Sequence, residues 1–173
     1  MKIRKPAFLI ALALCLVTAL FVPQAALTAE AASVVNISSA AGLTKALTDS
    51  KSAAYKLTAD ISGIKKEIRV TGGTKTLDLN GHSIKGSSTA SSLIFVRGGD
   101  LTIKSSASGG MIRNTNNQDA AGCGSGRLTL ESGTLQGLVY GIYQEGGTVN
   151  IKGGTVKGIE NAVKTVKGTL NIS

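Results

Sequence analysis

The chain has 173 residues, with 19 Lys and Arg against 10 Asp and Glu, a single His, no Trp, two Pro and two Cys. That length is one domain's worth of residues. The basic balance raises nucleic acid as a partner, but the cations are scattered, without the dense runs or interleaved aromatics that nucleic-acid binding uses. The charge therefore reads as solubility, with weak adhesion to anionic cell-wall polymer or acidic polysaccharide as an added effect.

Residues 1–31 read as a secretory signal peptide. Lys2, Arg4 and Lys5 precede an apolar run from Phe8 to Val22, and Ala29 and Ala31 form an A-x-A cleavage pattern, with Ala29 or Ala32 as alternative last residues. The run is shorter than the roughly 20 residues of a spanning helix, so no membrane contact is expected after signal removal. Leu14 stands where a lipobox before Cys15 wants a small residue. The remaining 142 residues carry 16 Lys and Arg against 9 Asp and Glu, a net charge of about +7. Pro6, Pro23 and Cys15 all leave with the signal, so Cys123 is the single thiol and no intramolecular disulfide is possible. An exported domain of this kind has to rest on its core and its backbone pairing.

Residues 32–55 form an N-terminal segment. Within it, Ser38 and Ser39 offer an N-cap to a short helix with Leu43, Ala46 and Leu47 on one face, placed to plug the end of whatever follows. Tyr55, Leu57, Ala59 and Ile61 then alternate as a first strand, and Ile68 and Val70 continue the first coil.

Residues 56–173 repeat. RLTLESGTLQGLVYGIYQEGG (127–147) aligns without a gap on TVNIKGGTVKGIENAVKTVKG (148–168), placing Gly133 on Gly154, Leu135 on Val156 and Ile142 on Val163. A fixed self-similar period is the signature of a solenoid. With looser spacing the same skeleton appears in TLDLNGHSIKG (76–86) and LTIKSSASGGMIRN (101–114). Coil openings are placed at Leu77, Leu101, Leu128, Val149 and Leu170, steps of 24, 27, 21 and 21 residues. Each opening alternates apolar and polar residues, so each is a short strand with one wet face, and glycine steps such as Gly72-Gly73 and Gly146-Gly147 turn the corners. An antiparallel sandwich would instead show mirrored patterns across two- to five-residue loops. The expected fold is all-β: a single-stranded parallel β-helix of about five coils. The last strand, opened at Leu170, runs to Ser173 without a cap, which reads as a truncated frame, a fragment, or an edge for end-to-end self-association.

The stretch LTADISGIKKEIRVTGGTKTLDLNGHSIKG (57–86), followed by the GTLQG and GGTVNIKGGTVKG segments, resembles the right-handed parallel β-helices of the pectin lyase-like superfamily. It is most similar to the non-catalytic repeats of secreted and surface proteins of Gram-positive bacteria, over about residues 36–173. The resemblance implies a right-handed helix, and leaves activity open, because the superfamily includes lyases, hydrolases and adhesins.

Hydrolases of that superfamily use clustered aspartates, but here Asn114-Thr115-Asn116 has no acid, and His82 stands in Asn80-Gly81-His82-Ser83 rather than between glycines. The outward rows read Asp78, Thr102, Thr129, Asn150, Asn171 and Asn80, Lys104, Glu131, Lys152. One acid per row is too few for the 6 to 8 oxygen ligands of Ca²⁺. No catalytic residue, metal ligand or cofactor is therefore assigned. Asp78 and His82 are a possible pair at the first corner, although His82 reads better as a turn residue capping a backbone carbonyl. Cys123 reads as a buried thiol, with a reactive thiol as the alternative. Asn114 to Asn117 with Gln118 reads as an exposed insertion. Tyr140 and Tyr143, matched by Asn161 and Lys164 one coil later, are the candidate ligand-binding residues for sugar stacking, against a role as corner fillers. Thr134 with Thr155 and Thr148 with Thr169 would form short ladders. The expected function is a secreted or cell-surface, non-catalytic, structural or adhesive β-helix contacting polysaccharide. The alternative is the N-terminal part of a polysaccharide lyase or glycoside hydrolase.

Overall fold

The computed structural model describes residues 33–173, and the signal-peptide assignment lies outside them. The described chain is a parallel β-solenoid of about six turns with one short helix.

β1 (Val34–Ile37) leads into α1 (Ala40–Thr48), whose N-cap is Ser39; its hydroxyl accepts a hydrogen bond from the Gly42 N–H at 3.1 Å. Leu43 and Leu47, one turn apart, are fully buried at the end of the bore, so the helix plugs it as its apolar spacing predicts. A β1 strand ahead of this helix was not expected. It pairs in parallel with β2 (Ala53–Leu57), making it the first rung of the wall. The alternation from Tyr55 to Ile61 is divided by a corner, because β2 ends at Leu57 and β3 begins at Ile61 (Ile61–Ile64).

The following strands are β4 (Ile68–Val70), β5 (Thr74–Asp78), β6 (Ser83–Gly86), β7 (Ser92–Lys104), β8 (Met111–Asn114) and β9 (Asp119–Leu130). β10 (Thr134–Gln136), β11 (Tyr140–Gln144), β12 (Thr148–Ile151), β13 (Thr155–Lys157), β14 (Asn161–Thr165) and β15 (Thr169–Ile172) complete the chain. Each coil contributes three strand segments, and β7 and β9 each run through a corner and supply two of them. Pairing is parallel throughout, at the usual spacing of about 4.8 Å. β3, β6, β8, β10 and β13 form one separate sheet of the wall.

Stacking the coils aligns aliphatic side chains into columns. Ile61, Ile84, Ile112, Leu135 and Val156 form one, and Ile68, Ile94, Ala121, Ile142 and Val163 another. A corner column of glycines lets the coils approach closely. Gly147 has φ +64°, and a Cβ placed on it would lie 2.6 Å from the Gly126 carbonyl oxygen.

The observed register corrects the early coils by two residues. Thr76, not Asp78, aligns with Thr102, Thr129, Asn150 and Asn171, giving steps of 26, 27, 21 and 21. Leu77 therefore stacks on Ile103, and the residue stacked on Leu101 is Lys75. A lysine thus occupies an inward position and has no solvent exposure. Its Nζ donates to the Gly72 carbonyl of the adjoining corner, and burial pulls its pKa down, partly offset by the nearby Asp49 carboxylate. The misplaced opening arose because an apolar residue was expected where the chain has Lys75.

The Asn114 segment is also corrected. Asn114 is fully buried, its amide donating to the Asp119 carbonyl at 3.1 Å and its side-chain oxygen accepting from the Asn116 N–H at 3.2 Å. It folds the insertion back on itself, and only Thr115 and Asn117 are exposed.

Candidate functional site

The outer wall offers three kinds of surface. On the side built from β5, β7, β9, β12 and β15, the exposed rows satisfy themselves along the axis. Asn171 donates to the Asn150 side chain at 2.8 Å and Asn150 to Thr129 at 3.3 Å. Asp78, Lys104, Glu131 and Lys152 alternate in sign from coil to coil, and Arg127 pairs with Asp100 at 3.5 Å. The threonine pairs 134/155 and 148/169 are in register as read from the repeat.

Acids at the corners hold the next coil. Asp78 Oδ1 accepts backbone N–H bonds from Asn80 and from Ser106, both at 2.8 Å, which together hold its carboxyl below the ordinary value against the opposing effect of burial. Asp60 accepts from the Ser83 N–H at 2.8 Å. Asp78 and His82 do not pair, and the preferred reading of His82 as a carbonyl cap is corrected: its ring faces Asp60, Nδ1 to Oδ1 at 3.5 Å. Asp78 is engaged instead by the amide of Asn80 in its own turn and that of Ser106 one coil on.

The third surface is aromatic. On β11, Tyr140 and Tyr143 are half-buried and offset-stacked, with ring centroids 5.8 Å apart and planes 15° from parallel. Tyr143 follows the inward-pointing Ile142 and so lies on the outer wall, and Tyr140, at the corner where β11 begins, stacks against it. In the row of Tyr143 lie Gly122 and, one coil before it, Phe95. Ile94 and Val96 face the bore, which places Phe95 outside, yet its ring is fully covered. It fits there because Gly122 and Gly124 lack side chains: a Cβ on either would lie 2.6 Å or 2.9 Å from the ring. The Arg97 guanidinium sits over the ring, 4.4 Å from its centroid.

Tyr140 is held from behind. Asp119, stacked beneath it and only 4% exposed, accepts the Tyr140 backbone N–H at 2.9 Å. Burial raises the Asp119 carboxyl to about 6, with the Tyr140 N–H opposing and Glu160 adding to the rise. A hydrogen bond to Glu160 is the main cause of the raised Tyr140 phenol pKa. Phe95, Arg97, Asp119 and Glu160 escaped the sequence reading. The available signal was the unbroken apolar run Leu93-Ile94-Phe95-Val96, in which alternation forces one residue out, with Gly122 and Gly124 a coil later to receive it.

Cys123 is buried in the bore, its sulfur 3.8 Å from the carbonyls of Ser125 and Thr148, and burial pushes its thiol pKa up. That is the environment of an inert thiol. No group of three or more metal-ligating side chains occurs among the described residues.

The fold and its surfaces define the class: a parallel β-solenoid whose wall carries a stacked aromatic platform. No family model matches the chain, and no match was found among curated proteins or solved structures.

Proposed function

We propose that this chain is an extracellular, non-catalytic β-helix of the pectin lyase-like kind, structural or adhesive, that contacts glycan through Tyr140 and Tyr143. The carrying observation is the stacked tyrosine pair itself, offset on the outer wall of a rigid solenoid and anchored by the Asp119 hydrogen bond. Sugar rings present apolar C–H faces that pack on aromatic rings, and a half-exposed phenol adds a hydrogen-bonding edge. Glu160 beside Tyr140, and Lys164 stacked on Tyr143, supply polar partners for hydroxyls. A platform on strands, not on loops, also loses little conformational entropy on binding.

The use of the acids supports the non-catalytic reading. Asp60, Asp78 and Asp119 accept backbone N–H groups of neighbouring coils, and Asp100 and Glu131 pair with Arg127 and Lys152. Glycoside hydrolysis needs two carboxyl groups facing one bond.

The test is incubation with insoluble cell-wall glycan and with polygalacturonate. Retention on glycan with neither new reducing ends nor unsaturated product is expected. Appearance of either product would overturn the non-catalytic reading in favour of a lyase or hydrolase.

A further inference from the structure

The sheet formed by β3, β6, β8, β10 and β13 has an outer face unlike the other two. Lys85, Arg113, Gln136 and Lys157 stack in register, one per coil, on the wall outside Ile84, Ile112, Leu135 and Val156. Three of four positions are cationic. No carboxylate lies within ion-pair distance of any of the three among the described residues.

The contrast with the β5–β7–β9–β12 side is the informative point. There, cations and anions alternate along the axis, which stabilises stacking, whereas like charges on adjacent strands repel. Here Lys85 and Arg113 stand as like charges on adjacent strands, and Gln136 separates Arg113 from Lys157. At the centre of the stripe, the Nε of Arg113 is occluded and makes no hydrogen bond. An oxoanion that reaches this guanidinium gives the Nε a partner it otherwise lacks.

We propose that this face binds a linear phosphodiester polymer, a phosphodiester-linked polyol chain, laid along the solenoid axis. The cations stand in one line along the axis, one coil rise of about 4.8 Å apart or twice that across Gln136, so a flexible extended polyanion laid along it reaches all three. The adjoining row supplies hydroxyls from Ser83, Thr134 and Thr155, which suit the free hydroxyls of a polyol. At the N-terminal end of that row, Asp60 is occupied by the Ser83 N–H and the His82 ring. The remaining member, Met111, is aliphatic, and no aromatic side chain stands in either row. Bases and pyranose rings gain affinity by stacking on aromatic side chains, and this face offers none. A chain of phosphates and small polyols needs no such stacking.

The proposal is independent of the tyrosine platform. It is tested by titrating the purified protein with a synthetic glycerol-phosphate oligomer, an oligogalacturonate of equal charge and an oligo-dT, across a range of salt. Binding of the glycerol-phosphate oligomer should weaken with salt at a log–log slope of about −2, three contacts at roughly −0.7 each. The double variant K85Q/K157Q, at exposed positions, should lower that affinity at least tenfold. K167Q, an equally exposed cation outside the stripe, should leave it unchanged, as should Y140A/Y143A. R113Q should abolish binding, with circular dichroism reporting its fold, while the K85Q/K157Q comparison stands whether or not R113Q folds. Wild-type affinity in K85Q/K157Q would overturn the proposal. So would an equal K85Q/K157Q-dependent loss with oligogalacturonate or oligo-dT.

Discussion

Asp119 accepts the backbone N–H of Tyr140, one coil further along the solenoid, at 2.9 Å, and it does so from a position almost closed to water. The bond ties the aromatic platform to a carboxyl that burial has raised to about 6.

A pH dependence follows. The folded value lies above the 3.8 of an ordinary Asp, so the folded state holds this proton more tightly than the unfolded chain. The associated stability is fully present below pH 3.8 and is lost as pH rises through about 6. D119N keeps the side-chain oxygen for Tyr140 and removes the charge. At pH 7.5 it should be more stable than wild type by on the order of 2 kcal/mol. Thermal denaturation by circular dichroism should show this advantage vanishing near pH 4, and an advantage that persists there would contradict the assignment.

Lys75 is a second buried ionisable group, with a single carbonyl acceptor for its ammonium. Met has a similar volume without the charge, so K75M should raise stability by about 1–2 kcal/mol in urea denaturation. Because the folded-state pKa of Lys75 is lowered, the wild type binds fewer protons folded than unfolded. Its stability should therefore climb toward pH 10.5, and K75M should remove that climb. Destabilisation by K75M would show that the ammonium is a structural donor.

At the glycine corner, G147A forces a side chain into the left-handed region at φ +64° and toward the Gly126 carbonyl, 2.6 Å away. Backbone cannot yield as a side-chain tip does, so a loss of about 2–4 kcal/mol is expected. Equilibrium unfolding measures it, and a change under 0.5 kcal/mol, roughly a neutral surface substitution, would mean the corner is not constrained as described.

The fold was legible because inward columns repeat at a full coil's distance, and the gapless match of 127–147 with 148–168 reappears as strand register. The early coils were harder to read for one physical reason. Lys75 occupies a column position that pattern reading reserves for aliphatics, which pushed the expected opening to Leu77. The same logic hid Asn114, whose amide is satisfied within its own turn and so tolerates burial. Of the candidate site, Tyr140 and Tyr143 were visible as departures from the repeat. Phe95 was not, since a buried ring on the outer wall depends on glycines about 28 residues away in sequence.

The chain contains no Trp and three Tyr, and Tyr55 is buried in the first coil away from added ligand, so a ligand-induced change in tyrosine emission reports chiefly on the platform. The most direct test of the glycan-contact reading is therefore tyrosine fluorescence titrated with neutral oligosaccharides, chitohexaose and cellohexaose, which the basic stripe does not attract. A saturable change in emission is predicted for at least one of them. Calorimetry with the same oligosaccharide should show Y140A and Y143A each losing at least tenfold in affinity, while their unfolding midpoints stay near wild type. Unchanged emission with both oligosaccharides, or wild-type affinity in the Y140A/Y143A double variant, would contradict it.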